Sequence, residues 1–331
     1  MSISVEDNSY SFDLNDEQKI IDCYNQHGVV VVRNVLTKLE CKETFADLDL
    51  PSGCDLTKPE TYHHLDRVVN RYGVYGSNPI FTKTILRNRT HPNVQRVFEL
   101  LYGSQIPLLV QHDRIGIMRP TTGLYGQEKW RVPDLHPNLH VDIDPFGYFK
   151  PNFQTEVNQF LGHLNYTDLS DFIAENNAKH ETMGRQIQSV LNLVDNRYED
   201  GGFHCLPLYQ PEQKLRDWIL DYTSPKDPPQ PNGRYIFSNN HRDDSKLIAL
   251  GQVLRMPCPA GSMICFDATL PHGTLPNFSD RIRVIQFLRY LPESVIVNQK
   301  QRSKRVQQEC EKNGFVINDQ NRGVLLGTKT S

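Results

Sequence analysis

The feature that most constrains this chain of 331 residues is a pair of potential metal ligands set two positions apart. His140 and Asp142 lie in the segment LHVDIDP at 139–145, which is typical of an extended strand. Residues i and i+2 of a strand point to the same side, so the imidazole and the carboxylate are predicted to enter one pocket. Two side chains do not hold a metal ion firmly, and a third ligand is therefore expected from elsewhere.

The best candidate for this third ligand is His272, in the segment LPHGT at 270–274. Two histidines and one carboxylate on one face of an iron ion leave the opposite positions open, as in the non-haem Fe(II) oxygenases. His140, Asp142 and His272 are thus the predicted metal ligands and catalytic centre. Asp144 shares the strand face with Asp142, but it precedes Pro145 and is interpreted as a turn residue or a neighbour of the site.

A basic residue follows the last predicted ligand at a useful distance. The segment RIRVIQF at 281–287 is rich in β-branched and aromatic residues and predicts a strand, with Arg281 and Arg283 on one face. Arg283 lies eleven residues after His272. The planar guanidinium binds a carboxylate through two parallel hydrogen bonds, which suits the far end of a dicarboxylic cosubstrate.

With these residues in place, the chain resembles the phytanoyl-CoA dioxygenase-like branch of the Fe(II)/2-oxoglutarate oxygenases. The resemblance covers most of residues 14–292. It departs from the family at 207–210, where PLYQ replaces the usual Pro-Gly-Ser/Thr-His. The matching segments are HGVVVVRNVLTKLEC at 27–41, LHVDIDP at 139–145, VLNLVDNRYEDGGFHCLP at 190–207 and PHGTLPNFSDRIR at 271–283.

The resemblance implies an Fe(II)- and 2-oxoglutarate-dependent dioxygenase that uses O2 and releases succinate and CO2. The oxidation of a small organic substrate would be a hydroxylation, a desaturation or a cyclisation. Arg283 would hold the distal carboxylate of 2-oxoglutarate, and Arg281 is the alternative. Asn277, Gln188 and Arg114 are weaker candidates for the cosubstrate pocket.

Two other functions stay open. A zinc-dependent hydrolase also uses histidine and carboxylate ligands, with an activated water, but leaves Arg283 without a role. A non-catalytic binding module of the same fold is disfavoured by an intact set of ligands.

The composition of the chain argues against some classes of binding partner. The net charge of −3 and the pI of about 6.5 give no basic field for nucleic acid or for a membrane surface. The seven cysteines include no C-x-x-C pair, and no signal peptide or membrane-length apolar run is evident, so a cytoplasmic protein with reduced thiols is expected. The expected partner is a small-molecule substrate, and the sequence does not define the oligomeric state.

Many short strands with Gly/Pro turns, preceded by helices, predict a mainly β chain with helical support, an α+β double-stranded β-helix or cupin-like jelly roll. A single domain is expected over 1–331. Its predicted parts are helical support with the first strands at 1–105, the jelly-roll core at 106–292, an insertion or lid at 151–183, and a C-terminal helix and tail at 293–331.

The patterns also predict individual elements. Helices are expected at 15–26, from Thr37 onward, and at 91–102, 168–179, 211–222 and 293–313. Strands are expected at 29–32, 106–110, 114–118, 186–195, 203–206, 247–250 and 262–266. The remaining histidines of interest, His63, His64, His136 and His204, are interpreted as surface, packing or neighbouring residues rather than ligands.

The loop at 119–138 and the insertion at 151–183 flank the metal-binding strand and are predicted to select the substrate. Their aromatic residues either line a pocket for a small, partly apolar molecule or anchor the loops to the barrel. These residues are Tyr125, Trp130, Phe146, Tyr148, Phe149 and Phe153. The segments carry no basic cluster for the phosphates of CoA, so an acyl-CoA substrate is not favoured.

Overall fold

The structure is a computed structural model that describes residues 9–132, 138–178, 185–223, 234–238 and 240–328. Its strands form two sheets, and helices support them. The strands are β1 Ser11–Asp13, β2 Val29–Arg33, β3 Val74–Tyr75, β4 Leu108–Val110, β5 Ile115–Met118, β6 His140–Val141, β7 Ile187–Asn192, β8 Gly202–Cys205, β9 Tyr235–Ile236, β10 Leu254–Arg255, β11 Met263–Asp267, β12 His272–Leu275 and β13 Arg283–Pro292.

The larger sheet has the order β1-β2-β11-β7-β13-β5-β3, with β4 also paired to β13, and the smaller sheet has the order β10-β8-β12-β6-β9. Strands β5 to β8 alternate between the two sheets, and so do β10 to β13. Every strand pair is antiparallel except β1 with β2. The two sheets with helical support agree with the coarse prediction, and the jelly roll itself stays a prediction.

Several helices pack against the core through buried apolar residues. In the helix that starts after His91, four apolar residues at helical spacing are buried, as the sequence predicts. The helices are α1 Glu17–His27, α2 Lys38–Ala46, α3 Lys83–Arg89, α4 Pro92–Tyr102, α5 Pro145–Tyr148, α6 Phe153–Gly162, α7 Ser170–Asn177, α8 Pro211–Leu220, α9 Arg242–Ile248, α10 Gln299–Lys312 and α11 Asp319–Leu326.

Local sequence explains how the first helices begin and end. Helix α1 ends at Gly28, which adopts the left-handed conformation (φ +70°) that glycine tolerates best. Helix α2 begins with a capping box, because the Thr37 hydroxyl accepts from the Glu40 backbone N–H while the Glu40 carboxylate accepts from the Thr37 N–H. The sequence predicts the two helices at 15–26 and from Thr37 onward, close to these bounds.

Three element predictions were wrong in part. The segment 247–250 is not a strand: it lies at the end of α9, whose first turn is capped by the His241 ring. Of its four apolar residues only Leu247 is buried, as expected for one face of a helix. The insertion contains α6 as well as the expected α7, and α10 begins at Gln299 rather than 293. The predicted loop at 224–233 and His136 lie outside the described residues.

Within the described residues, no helix combines the length and the apolar character that crossing a membrane requires.

Candidate metal centre

Strand pairing brings the three predicted metal ligands together. In the smaller sheet His140 of β6 lies directly opposite His272 of β12, and Asp142 immediately follows β6. One potential ligand atom from each side chain lies within 4.8 Å of the other two. The Asp142 carboxylate is 3.5 Å from His140 Nε2 through Oδ1 and 3.7 Å from His272 Nε2 through Oδ2. The donor set of two imidazole nitrogens and one carboxylate is the one that non-haem iron prefers.

The rival carboxylate Asp144 has a different position. Its side chain caps α5 by accepting a hydrogen bond from the Phe146 N–H at 3.0 Å. It is not part of the ligand cluster. The interpretation of Asp144 as a turn residue therefore agrees with the structure.

The orientation of His272 is fixed by the backbone. Its Nδ1 lies 2.9 Å from the Leu270 carbonyl oxygen, so Nδ1 carries the proton and Nε2 presents its lone pair to the cluster. Burial, and then the proximity of His140, lower the pKa of His272 to about 3. The ring is therefore neutral at physiological pH, which is the state that binds a metal. The Phe203 and Phe266 rings pack on it with centroids 5.7 and 4.5 Å away.

Gln188 holds the carboxylate ligand from the opposite sheet. It lies on β7, and its Nε2 donates to Asp142 Oδ2 at 2.9 Å. A hydrogen bond to a ligating carboxylate sets its orientation and tunes its affinity for the metal. Gln188 was predicted as a cosubstrate residue. It lines the same cavity as the three predicted ligands, and its amide contacts one of them, Asp142.

Arg283 is a buried cation that forms no ion pair with any residue the structure describes. It is the first residue of β13, is 2% exposed, and lines the cavity that holds the ligands. Its Nη1 contacts Met118 Sδ at 3.3 Å, its Nε has no hydrogen-bond partner, and no ion pair reaches it from the described part of the chain. Burial lowers its pKa only to about 10, so it stays charged at neutral pH. A buried charge without a partner is costly, and a bound anion would offset that cost.

A glycine makes room for the Arg283 guanidinium. Gly202 has φ +99°, and a Cβ atom there would lie 2.7 Å from Arg283 Cζ. The Gly-Gly pair of the third matching segment thus has a local reason, because only glycine fits this conformation and this close approach.

Arg281 and Asn277 do not line the cavity. Arg281 precedes β13 instead of sharing a strand face with Arg283, and it forms ion pairs with Glu199 at 3.0 Å and Asp200 at 2.6 Å. Asn277 is buried in the turn before it, where its amide donates to the Met118 and Arg281 carbonyl oxygens. Both residues were candidates for the cosubstrate pocket, but the structure shows them in contacts that hold the turn before β13.

The cavity has a volume of about 610 Å³ and lies between the two sheets. Alternate residues of β13 line it, so that Arg283 and Arg289 share its wall with Ile285 and Phe287 between them. Arg114, predicted as a pocket residue, also lines it. Arg289 was not among the predicted site residues, although its even spacing from Arg283 on one strand would have indicated it.

The six aromatic residues near the metal strand do not line the cavity. Phe146 packs against Trp218 and Tyr222, with centroids 5.7 and 4.9 Å away. Tyr148 and Phe153 are buried against each other. Of the two alternatives that the sequence left open, the anchoring of the loops therefore describes these three rings. The insertion instead reaches the cavity through Asn176 and Asn177 at the end of α7.

The other histidines are placed as interpreted. His204 of β8 is buried opposite Gly273 and lies outside the ligand cluster. His63 and His64 are exposed.

Comparisons with known proteins agree with this picture. No family model matches the chain. The chain is 29% identical over 282 residues to a protein of Dictyostelium discoideum named "putative phytanoyl-CoA dioxygenase", covering 82% of this chain and 75% of that protein. The resemblance inferred from the sequence is thereby confirmed.

Two solved structures share the fold at low sequence identity. One is GlcNAc inducible gene 2 (DUF1479) from Candida albicans, with a TM-score of 0.59, 16% identity, and coverage of 97% of this chain and 76% of that one. The other is named "putative oxidoreductase" from Salmonella typhimurium LT2, with a TM-score of 0.55, 12% identity, and coverage of 97% and 83%. At these identities the likeness concerns the fold alone.

Proposed function

We propose that the chain is an Fe(II)- and 2-oxoglutarate-dependent dioxygenase that oxidises a small organic substrate by hydroxylation, desaturation or cyclisation. The observation that carries the proposal is the buried, unpaired guanidinium of Arg283 in the same cavity as the three clustered ligands. The similarity to a protein named as a phytanoyl-CoA dioxygenase supports the same class. The two sheets would then be those of a double-stranded β-helix, in a single domain whose segment 151–183 borders the substrate.

The residues present fit the cofactor. His140, Asp142 and His272 would hold Fe(II), because they offer two imidazoles and a carboxylate close to a shared point. Arg283 would bind the distal carboxylate of 2-oxoglutarate with its planar fork. Fe(II), when bound with 2-oxoglutarate and O2, supplies the oxidation of carbon coupled to release of succinate and CO2.

The protein contributes orientation and exclusion of water. The Leu270 carbonyl fixes the tautomer of His272, and Gln188 fixes the carboxylate of Asp142. Phe203 and Phe266 shield His272 from solvent on the inner side of the site. Such a pre-oriented set needs little rearrangement when a metal and a cosubstrate bind.

The two alternatives explain less of the site. A zinc hydrolase needs the three ligands and a water, but it gives no reason for a buried cation at the far end of the cavity. A non-catalytic module gives no reason to keep three ligand atoms within 4.8 Å with a second residue orienting one of them.

The decisive experiment is an anaerobic titration of the Fe(II)-loaded protein with 2-oxoglutarate, followed by visible absorption. We expect the weak charge-transfer band of an Fe(II)–ketoacid chelate, and we expect His140→Ala to lose both iron and band. A protein that binds zinc but gives no band with Fe(II) would support the hydrolase instead. Loading without a band and without succinate formation in the presence of candidate substrates would support the binding module.

A further inference from the structure

We propose that the cavity contains a second anion-binding position, at Arg114, which holds a compact oxyanion of the substrate that is oxidised. The oxyanion is a carboxylate or a phosphate monoester on a small hydrophilic molecule. This inference rests on the proposed function, because it assigns the other end of the cavity to the cosubstrate.

The guanidinium of Arg114 is hydrogen-bonded through its Nε, and its two Nη atoms are available to a ligand. It immediately precedes β5, and its Nε and backbone N–H both donate to Asp113 Oδ1, at 3.0 and 2.7 Å. Its two Nη atoms have no hydrogen-bond partner within the described residues, and the side chain is 22% exposed on the cavity wall. A guanidinium fixed through Nε leaves its Nη edge pre-oriented to receive a carboxylate or phosphate.

Asp113 offsets the charge of only one arginine of this wall, its ion-pair partner Arg114. Its second oxygen, Oδ2, accepts a hydrogen bond from the Asn176 side chain, so both oxygens are used to position neighbours. Arg289 is buried and donates to two uncharged oxygens, the Asn176 carbonyl and Gln186 Oε1, at 2.6 Å each. Apart from the ligand Asp142, the wall thus carries one carboxylate against more than one arginine.

Arg234 adds a further cation at the mouth of the cavity. It is exposed, and its guanidinium lies 5.6 Å from the centre of the Tyr72 ring. None of the ion pairs found between described residues involves Arg234. A cleft lined by excess charge of one sign attracts small molecules of the opposite sign.

Strand register separates Arg114 from the cosubstrate position. Arg283 lies opposite Met118, four residues from Arg114 along β5, which corresponds to about 13 Å. Two strand spacings, about 10 Å, separate β5 from β7, where Gln188 contacts the ligand Asp142. One oxyanion at Arg114 and the reacting carbon at the metal would therefore belong to a small molecule.

The remaining groups of this wall are also polar. The side chains of Gln111, Asn176 and Asn177 line the cavity beside Arg114. Amides supply hydrogen bonds to hydroxyl and amino groups, whereas a long acyl chain would leave them unpaired. The wall therefore favours a hydrophilic acid over an acyl-CoA.

The test uses two probes, acetate and methyl phosphate, titrated calorimetrically into the full-length protein with Fe(II) and 2-oxoglutarate under anaerobic conditions. We expect wild type to bind at least one probe in the millimolar range, and the tighter probe identifies the oxyanion. Arg114→Gln should weaken binding at least tenfold, Arg114→Lys should weaken it less, and Arg234→Gln should weaken it a few-fold. Arg281→Gln, outside the cavity, should bind the probe as wild type does.

The outcomes separate this inference from the proposed function. Arg283→Gln should lose 2-oxoglutarate yet keep the probe. Probe binding that disappears with Arg283→Gln and persists with Arg114→Gln would overturn the inference and leave the function standing. Failure of wild type to bind either probe would also overturn it. Absence of the charge-transfer band would overturn the proposed function. The affinities of wild type and Arg114→Gln for the probe can still be compared in that case, on protein without 2-oxoglutarate. Thermal unfolding of each variant checks that it is folded.

Discussion

Two buried arginines of this protein have opposite surroundings. Arg302, on α10, is fully buried, and its Nε donates to both oxygens of Glu175 on α7, at 2.8 and 3.1 Å. Its Nη2 donates to the Val110 carbonyl, and the same carboxylate accepts from the Tyr166 hydroxyl. Arg283 is also buried, but its guanidinium contacts a thioether, and no carboxylate of the described residues forms an ion pair with it.

The difference separates a structural cation from a binding cation. A buried ion pair with further hydrogen bonds ties elements together, and here it ties the C-terminal helix to the insertion. A buried cation whose partner is missing destabilises the fold unless a ligand supplies the charge. The contrast predicts that substitutions at the first site change stability, whereas substitutions at the second change binding.

The largest effect is expected for Glu175→Gln. It leaves Arg302 buried without its counterion, which should cost about 3–5 kcal/mol of unfolding free energy. Urea denaturation measures this, and the double variant Glu175→Leu with Arg302→Met is the control, because it removes both charges and should be more stable than the single variant. A loss below about 1 kcal/mol for Glu175→Gln would mean that the pair is not a structural centre.

Arg283→Gln should show the reverse pattern. Removing the fork from a buried carboxylate should weaken 2-oxoglutarate binding by about 2–5 kcal/mol, or roughly 30-fold to several thousandfold in Kd. Iron binding should be retained, and the unfolding free energy without ligands should be unchanged or higher. The charge-transfer titration measures the first effect, and denaturation measures the second. A variant that loses stability but keeps its affinity for 2-oxoglutarate would contradict the comparison.

The sequence predicted the centre of this site because its geometry is local. His140 and Asp142 are two residues apart, and the segments around His272 and Arg283 matched a family in order and spacing. The choice between Arg281 and Arg283 depended on where β13 begins. Arg281 belongs to the turn that Asn277 stabilises, before the strand begins. The alternation of strand faces does not reveal this, because two residues that are two positions apart are predicted to lie on the same face.

The wall of the cavity was harder to predict. Large aromatic residues near the strand with the predicted metal ligands suggest a pocket. Burying their apolar area in the core stabilises the fold equally well, so the sequence alone does not distinguish the two. Helix α6 was missed, and Val157 and Leu161, which it buries, are part of the main core. The insertion is thus packed structure, and deleting it would remove Glu175 together with the cavity residues Asn176 and Asn177. Point substitutions are therefore the better test of a lid.

A smaller effect is expected for Gln188→Met, which keeps the size of the side chain but removes its hydrogen bond to Asp142. Loss of a partner that orients a metal ligand lowers metal affinity about 10- to 100-fold. Competition with a chelator of known affinity measures this change. Arg283→Gln is the control, because it alters the same cavity without a contact to a ligand. Equal iron affinity in wild type and Gln188→Met would show that Asp142 is positioned without Gln188.

The smallest effect is expected for Arg281→Gln. This variant removes the same type of side chain as Arg283→Gln, but from a position outside the cavity. Arg281 is 37% exposed in its side chain, and its partner Glu199 is more exposed still, so solvent screens that ion pair. Its second partner, Asp200, is buried but also accepts from the Arg197 backbone N–H, which keeps it satisfied when Arg281 is removed. The unfolding free energy should fall by about 1 kcal/mol, at the upper end for partly exposed pairs. The Kd for 2-oxoglutarate should be unchanged, because the guanidinium does not line the cavity. The same denaturation and charge-transfer titration applied to Arg283→Gln give the two quantities side by side. If Arg281→Gln loses 2-oxoglutarate while Arg283→Gln keeps it, the cosubstrate position lies two residues earlier in the chain than we propose.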